Sequence, residues 1–231
     1  MRPVDPPGLG GDLRLRSLLA ALHLASPALP VGGFAYSQGL ETAIAEDLII
    51  DAASARRWID DLLLCVVARF EAPLWLRAFD ARAAGDAQHL GAISAELLAA
   101  RETAELRAET LQMGASMLRL FEALNLAAPT QPNLVYPAAF AVACCDLGVD
   151  REAGLTAYLW SWTENQVLAA VKTLPLGQQA GQRMLFELQG SIVHAVQVAT
   201  TLRDDELGTA AVGFARCCAR HESLYSRLYR S

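Results

Sequence analysis

Asp51-Ala-Ala-Ser-Ala-Arg-Arg-Trp-Ile-Asp-Asp-Leu-Leu-Leu-Cys-Val-Val-Ala-Arg-Phe70 is the stretch whose spacing decides the fold. Trp58, Ile59, Leu62, Leu63, Val66 and Phe70 recur three and four residues apart, which gathers their side chains on one face of an α-helix. Asp51 stands where its carboxylate can accept the first free backbone N–H groups, so a core helix capped by Asp51 is predicted. The same period governs the chain on either side. Leu106, Met113, Met117, Leu120, Phe121 and Leu124 predict one long amphipathic helix over Leu97 to Leu124, with Arg101, Glu102, Glu105, Arg107 and Glu109 as the charged start. Further helices are predicted at about Pro73 to Ala84, Pro137 to Leu147, Glu152 to Val171 and Gln182 to Leu202. No segment alternates as a strand does.

Breaks fall where Pro and Gly gather, at Ser26 to Gly33, Asn125 to Asn133 and Thr173 to Gly181. Each is too short for a domain linker, so consecutive helices should pack as neighbours. The expected architecture is all-α, a single-domain multi-helix bundle over residues 13–231. The Pro- and Gly-rich residues 1–12 read as a flexible leader, without the basic start, apolar middle and cleavage site of a secretory signal.

Composition narrows the function. The chain has 231 residues, 53% of them hydrophobic and 19% charged, enough to bury a core without disulfides or metals. A formal charge of -6 with no long basic run argues against nucleic-acid binding. The longest tempting apolar run, Leu62 to Ala68, falls far short of the ~18 residues of a membrane span. Five cysteines, Cys65 and the adjacent pairs Cys144-Cys145 and Cys217-Cys218, lack any Cys-x-x-Cys and fit free thiols in a reducing cytoplasm.

Catalytic and metal motifs are missing. A carboxylate-bridged di-metal bundle needs Glu-x-x-His pairs, and none of the four histidines has Glu three residues before it. His-Glu-x-x-His, Gly-x-Ser-x-Gly and a phosphate-binding Gly-rich loop with Lys-Ser/Thr do not occur. His89 reads as a solvated turn residue, and His23 and His194 as packing residues within apolar helices. Cys217 and His221, four apart beside Cys218, form a partial ligand set for a soft or borderline ion, or a pair of buried thiols with a hydrogen-bonded histidine. No cofactor is expected.

Three separated blocks are similar to a known family. Ser26-Pro-Ala-Leu-Pro-Val-Gly-Gly-Phe-Ala-Tyr-Ser-Gln-Gly-Leu-Glu41 resembles the N-terminal signature of the UreF family of urease accessory proteins. Ala157-Tyr-Leu, Ala170-Val-Lys-Thr-Leu-Pro-Leu-Gly-Gln178 and Gly181-Gln-Arg-Met-Leu185 resemble its second signature, and Arg220 to Ser231 its C-terminal tail. Arg101 to Glu109 with Met113-Gly114 also fits, while Gln179, Val135 and Cys217-Cys218 depart from the family pattern. The resemblance implies an all-α homodimer in the cytoplasm that bridges UreD (UreH) to the nickel-carrying GTPase UreG while nickel passes to apo-urease. It implies no bond-making residue. An enzyme on the nickel pathway and a nickel-delivery protein using Cys217, Cys218 and His221 are the alternatives.

On that resemblance Tyr36 and Glu41 become candidate partner contacts, with Phe34 and Tyr36 presented outward by a positive-φ turn at Gly32 or Gly33. Plugging the bundle end is the other role open to the two rings. Lys172, Pro175, Gly177, Gln178 and Gln182 form a turn suited to the GTPase or to helix termination. An arginine finger from Arg183 is conceivable. The tail over 223–231 gathers Tyr225, Arg227 and Arg230, with His221 just before it, residue types of interface hot spots, and Tyr225 to Ser231 are expected to order when UreD binds.

Overall fold

The computed structural model describes residues 9–126, 129, 131, 133–209 and 211–231, with side chains from residue 12 onward. Asp51 Oδ1 accepts from Ser54 N at 2.7 Å, and Ser54 Oγ accepts from Asp51 N at 3.0 Å, a reciprocal cap that starts α3 (Ala52–Leu62). The helix does not stop there. It runs through a widened π-helical stretch, Leu63–Glu71, into α4 (Ala72–Ala83), so the two predicted helices are one continuous rod. Pro73 explains the widening: it has no N–H to donate and its ring crowds the carbonyl four residues back. That carbonyl, Arg69 O, accepts instead from Gly208 N at 3.3 Å.

Before this rod lie α1 (Leu9–Ala25) and the short α2 (Leu40–Ala45); after it come α5 (Ala87–Ala99) and α6 (Ala104–Ala123). The single helix expected from Leu97 to Leu124 is therefore two. Thr103 Oγ1 accepts from Leu106 N at 3.2 Å and starts α6, while Arg101 turns inward to a buried carboxylate, Glu71. Next follow α7 (Tyr136–Asp146), α8 (Arg151–Thr173), α9 (Gln178–Glu187), α10 (Gln189–Thr201) and α11 (Val212–His221). The helix expected over Gln182 to Leu202 likewise divides, at Leu188, and begins earlier.

Helix α7 is the centre of the bundle. Pro137 to Cys144 are all buried, and an apolar surface on every side is what a helix enclosed by neighbours requires. Helices α4, α6 and α8 pack around it, the last bringing Tyr158 within ring-contact distance of Trp75 and Phe140. Close approach is enforced at Gly114 of α6, where a Cβ atom would lie 2.1 Å from Leu134 O. Among the described residues there is no strand, and no helix is long and apolar enough to cross a membrane.

Two smaller readings change. His23 and His194 lie on exposed helix faces, because Leu24 and Ile192 with Ala195 occupy the inward positions of their helices. The leader over 1–12 lies mostly outside the described residues, and α1 has already begun at Leu9.

Candidate functional site

The loop before α2 is shaped by positive φ angles. Gly32, at φ 81°, sets up a single 3₁₀ turn over Gly33–Ala35, and Gly39, at φ 74°, starts α2. Gly39 has a second reason to lack a side chain: a Cβ there would meet Cys218 Sγ and N at 3.0 and 3.1 Å and Cys217 Cβ at 3.3 Å. The adjacent cysteines are thus the small surface on which the loop rests. Between the glycines, Gln38 holds φ 51°, a left-handed conformation unfavourable for a residue with a side chain.

Onto this loop the last residues of the chain fold back. Arg230 N donates to Ala35 O at 2.9 Å, and Ser37 donates twice to Ser231 O, from N at 2.9 Å and from Oγ at 2.7 Å. Glu41 completes the closure by accepting from Leu228 N at 2.7 Å through one oxygen and from Tyr229 N at 3.1 Å through the other. The second oxygen also lies 3.2 Å from His221 Nε2, whose Nδ1 is 2.6 Å from Glu105 Oε2. Arg227 Nη1 reaches the remaining Glu105 oxygen at 2.5 Å. A row of polar side chains, Glu41, His221, Glu105 and Arg227, therefore clasps α2, α6, α11 and the tail together.

Beneath the clasp lies a second polar network. Glu109 accepts from Ser231 Oγ and from Gln38 Nε2, each at 2.6 Å, and Gln38 Oε1 accepts from Trp162 Nε1 at 2.9 Å. These bonds hold Gln38 in its strained backbone. Burial pushes the Glu109 carboxyl above its ordinary value; the bonds from Ser231 and Gln38 and the charge of Arg101 oppose that, and the charge of Glu71 adds to it. Deeper still, Glu71 pairs with Arg101 and accepts from the Tyr158 hydroxyl. Burial and the Glu71 charge both push the Tyr158 phenol up.

The structure distributes the candidate residues over two neighbouring surfaces. Glu41 and His221 are buried inside the clasp. Tyr36 is turned inward as well, its hydroxyl donating to Gln112 Oε1 at 2.8 Å, while Phe34 alone faces out. The expectation that both rings project is corrected: Asn165 Nδ2 donates to Gly33 O at 2.9 Å and to Tyr36 O at 3.3 Å, and fixes the turn with the tyrosine inside. The expectation that Tyr225 to Ser231 order when a partner binds is also corrected. Tyr229 and Ser231 are buried in the chain itself, whereas Tyr225 and Leu228 stand out from the anchored tail, Leu228 at 72% exposure. Arg227 and Arg230 remain solvent-facing.

The second surface is the turn between α8 and α9. Lys172, in the last turn of α8, is exposed together with Pro175, Gly177, Gln178 and Gln182. Tyr229 joins the two surfaces, since it packs in one apolar cluster with Leu174, Ala170 and Cys217. Residue patterns missed Gln38, Glu71 and Ser231 as parts of this site, and took Arg101, Glu105 and Glu109 for a charged helix start. Glu71, a lone carboxylate inside an apolar helix, was the available signal.

Comparison with known proteins decides the lineage. The UreF family model matches residues 49–189. A urease accessory protein UreF from Dechloromonas aromatica is 47% identical over 222 residues, covering 93% of this chain and 97% of that protein. The chain belongs to the UreF family of urease accessory proteins. It is similar over 95% of its length, at 47% identity, to a urease accessory protein UreF from Janthinobacterium, all of which is covered. A bifunctional urease accessory protein UreEF from Bordetella bronchiseptica is 46% identical over 93% of this chain, which matches 52% of that protein.

The Cys217, Cys218 and His221 set is not arranged as ligands. Both ring nitrogens of His221 face carboxylates, and burial, followed by the charge of Glu109, raises the Cys218 thiol, which disfavours the thiolate a metal needs. Among the described residues no group of three or more His, Cys, Asp or Glu is placed to hold a metal ion.

Proposed function

We propose that this chain is a non-catalytic adaptor of urease maturation, a cytoplasmic homodimer that bridges UreD (UreH) and the GTPase UreG and gates GTP-dependent nickel insertion into apo-urease. The observation that carries the reading is the clasp. It fixes the tail backbone while leaving Tyr225 and Leu228 projecting, and large apolar side chains on a preorganised backbone are what an interface uses as anchors. UreD is assigned to that tail, together with the exposed Phe34.

UreG is assigned to the exposed turn with Lys172, Pro175, Gly177, Gln178 and Gln182. Pro175 holds the turn stiff, the free N–H groups at the start of α9 offer donors, and Lys172 offers a charge. Tyr229 packs between the two surfaces, so a partner on the tail bears on the end of α8. His221 and Glu41 then act from within, by holding the tail, and touch no partner themselves.

Size-exclusion chromatography with light scattering on wild-type protein, cognate UreD and cognate UreG tests the assignment. A ternary complex is expected, with UreG lost selectively in Lys172→Ala and UreD lost on truncation after Ser223. Failure of folded wild-type protein to bind either partner would overturn the adaptor reading. Saturable nickel binding abolished by a Cys217→Ala, His221→Ala double variant would favour the delivery alternative.

A further inference from the structure

Beside the Glu71 and Glu109 network lies a cavity of about 100 Å³, open between the Ser26–Phe34 loop, α6 and α8. Its charge is one-sided. Glu71, Glu109 and Glu164 line it against the single guanidinium of Arg101. Its walls are aromatic, with Phe34, Tyr136, Tyr158 and Trp162 all contributing. Thr110, a residue only 4% exposed, is also among the lining residues, and its buried hydroxyl has no protein partner. A buried hydroxyl left without a partner is costly, and it marks a place for a polar guest.

Excess carboxylate among aromatic faces is the chemistry that receives an organic cation: ring faces attract positive charge, and carboxylates accept its N–H groups. We propose that this cavity binds a guanidinium or alkylammonium group, either as a free small molecule or as the end of a basic side chain. Two features agree with the assignment. Burial raises the carboxyls of Glu109 and Glu164, and a cation beside them would favour their charged forms. Arg101 also borders a second space of about 20 Å³ with Gln38 and Glu71, large enough for one water and too small for the guest. The assignment does not depend on the adaptor reading and can fail without it.

The test uses the whole chain and three probes: n-propylguanidinium, the neutral isostere n-propylurea, and butyrate. The Trp162 indole N–H and the Met113 methyl, both on the cavity wall, are followed by NMR at constant ionic strength. Propylguanidinium is expected to shift both saturably, and butyrate neither. Glu164→Gln, at a half-exposed position, and Thr110→Val, close in shape, should each weaken the guanidinium by about five-fold, the scale of one cation–π or charged contact. N-acetylarginine methylamide separates the sources: saturable shifts show that a side chain on a backbone enters, and shifts from propylguanidinium alone assign the site to a free ion. Equal affinity for propylurea, strictly linear shifts with propylguanidinium, or undiminished binding in both folded variants would overturn the proposal.

Discussion

Glu41 accepts from two tail N–H groups and faces His221 as well, and this makes it the residue on which the tail depends. Replacing it with alanine leaves the N–H groups of Leu228 and Tyr229 without acceptors and His221 with one carboxylate fewer. The expected cost is about 1–3 kcal/mol in urea unfolding, with faster trypsin cleavage after Arg227 as the direct sign that the tail has lifted. Unchanged cleavage in Glu41→Ala would show that the backbone bonds to Ala35 and Ser37 suffice. Glu109 gives a pH prediction. Burial raises its folded carboxyl above the unfolded value, so between those two values the folded state holds more proton than the unfolded one. Its contribution is therefore complete below the unfolded value and is lost as pH rises through the folded one. Glu109→Gln can still accept from Gln38 and can donate to Ser231, but it cannot titrate. The stability of wild type relative to Glu109→Gln should fall from acid toward neutral pH, measured by urea unfolding across that range; a constant difference would contradict the raised carboxyl.

At the scale of elements, α7 is held by what its neighbours lack. Gly114→Ala in α6 places a methyl group 2.1 Å from a backbone oxygen, Leu134 O, which no rotamer change relieves. A loss of about 1–3 kcal/mol or more in unfolding free energy is expected, against a change near the helix-propensity gain if the helices simply part. Helices were legible because a 3.6-residue period is local: Trp58 to Phe70 and Leu155 to Val167 carry it within a few turns. Their ends were less so. Thr103 reads as a cap only when Arg101 is known to turn toward Glu71, and the junction across Pro73 reads as a break until the widened stretch before it is seen. Glu109 escaped notice because Glu105 and Glu109 four apart look like a solvated face, while the structure buries one and clasps the other. The docked tail was illegible for a plainer reason. Its backbone partners at Ala35, Ser37 and Glu41 lie almost the whole chain away, and no local pattern records such a pairing.

For the whole molecule, the two projecting tail residues separate folding from recognition. Tyr225→Ala with Leu228→Ala removes apolar groups that touch little of the chain, so stability should stay within about 0.5 kcal/mol while affinity for UreD drops at least ten-fold. Unaltered binding in that double variant, by titration calorimetry, would move the UreD surface elsewhere. The bonds between Ser37 and Ser231, 194 positions apart, have a consequence during synthesis. Helical segments near the start can form while the ribosome is still at work, since their contacts are close in sequence. The bonds of Ala35, Ser37 and Glu41 to the tail cannot form until residues 228 to 231 have emerged. A nascent chain stalled just before them would hold its helices yet leave the loop without those bonds and Tyr225 unanchored.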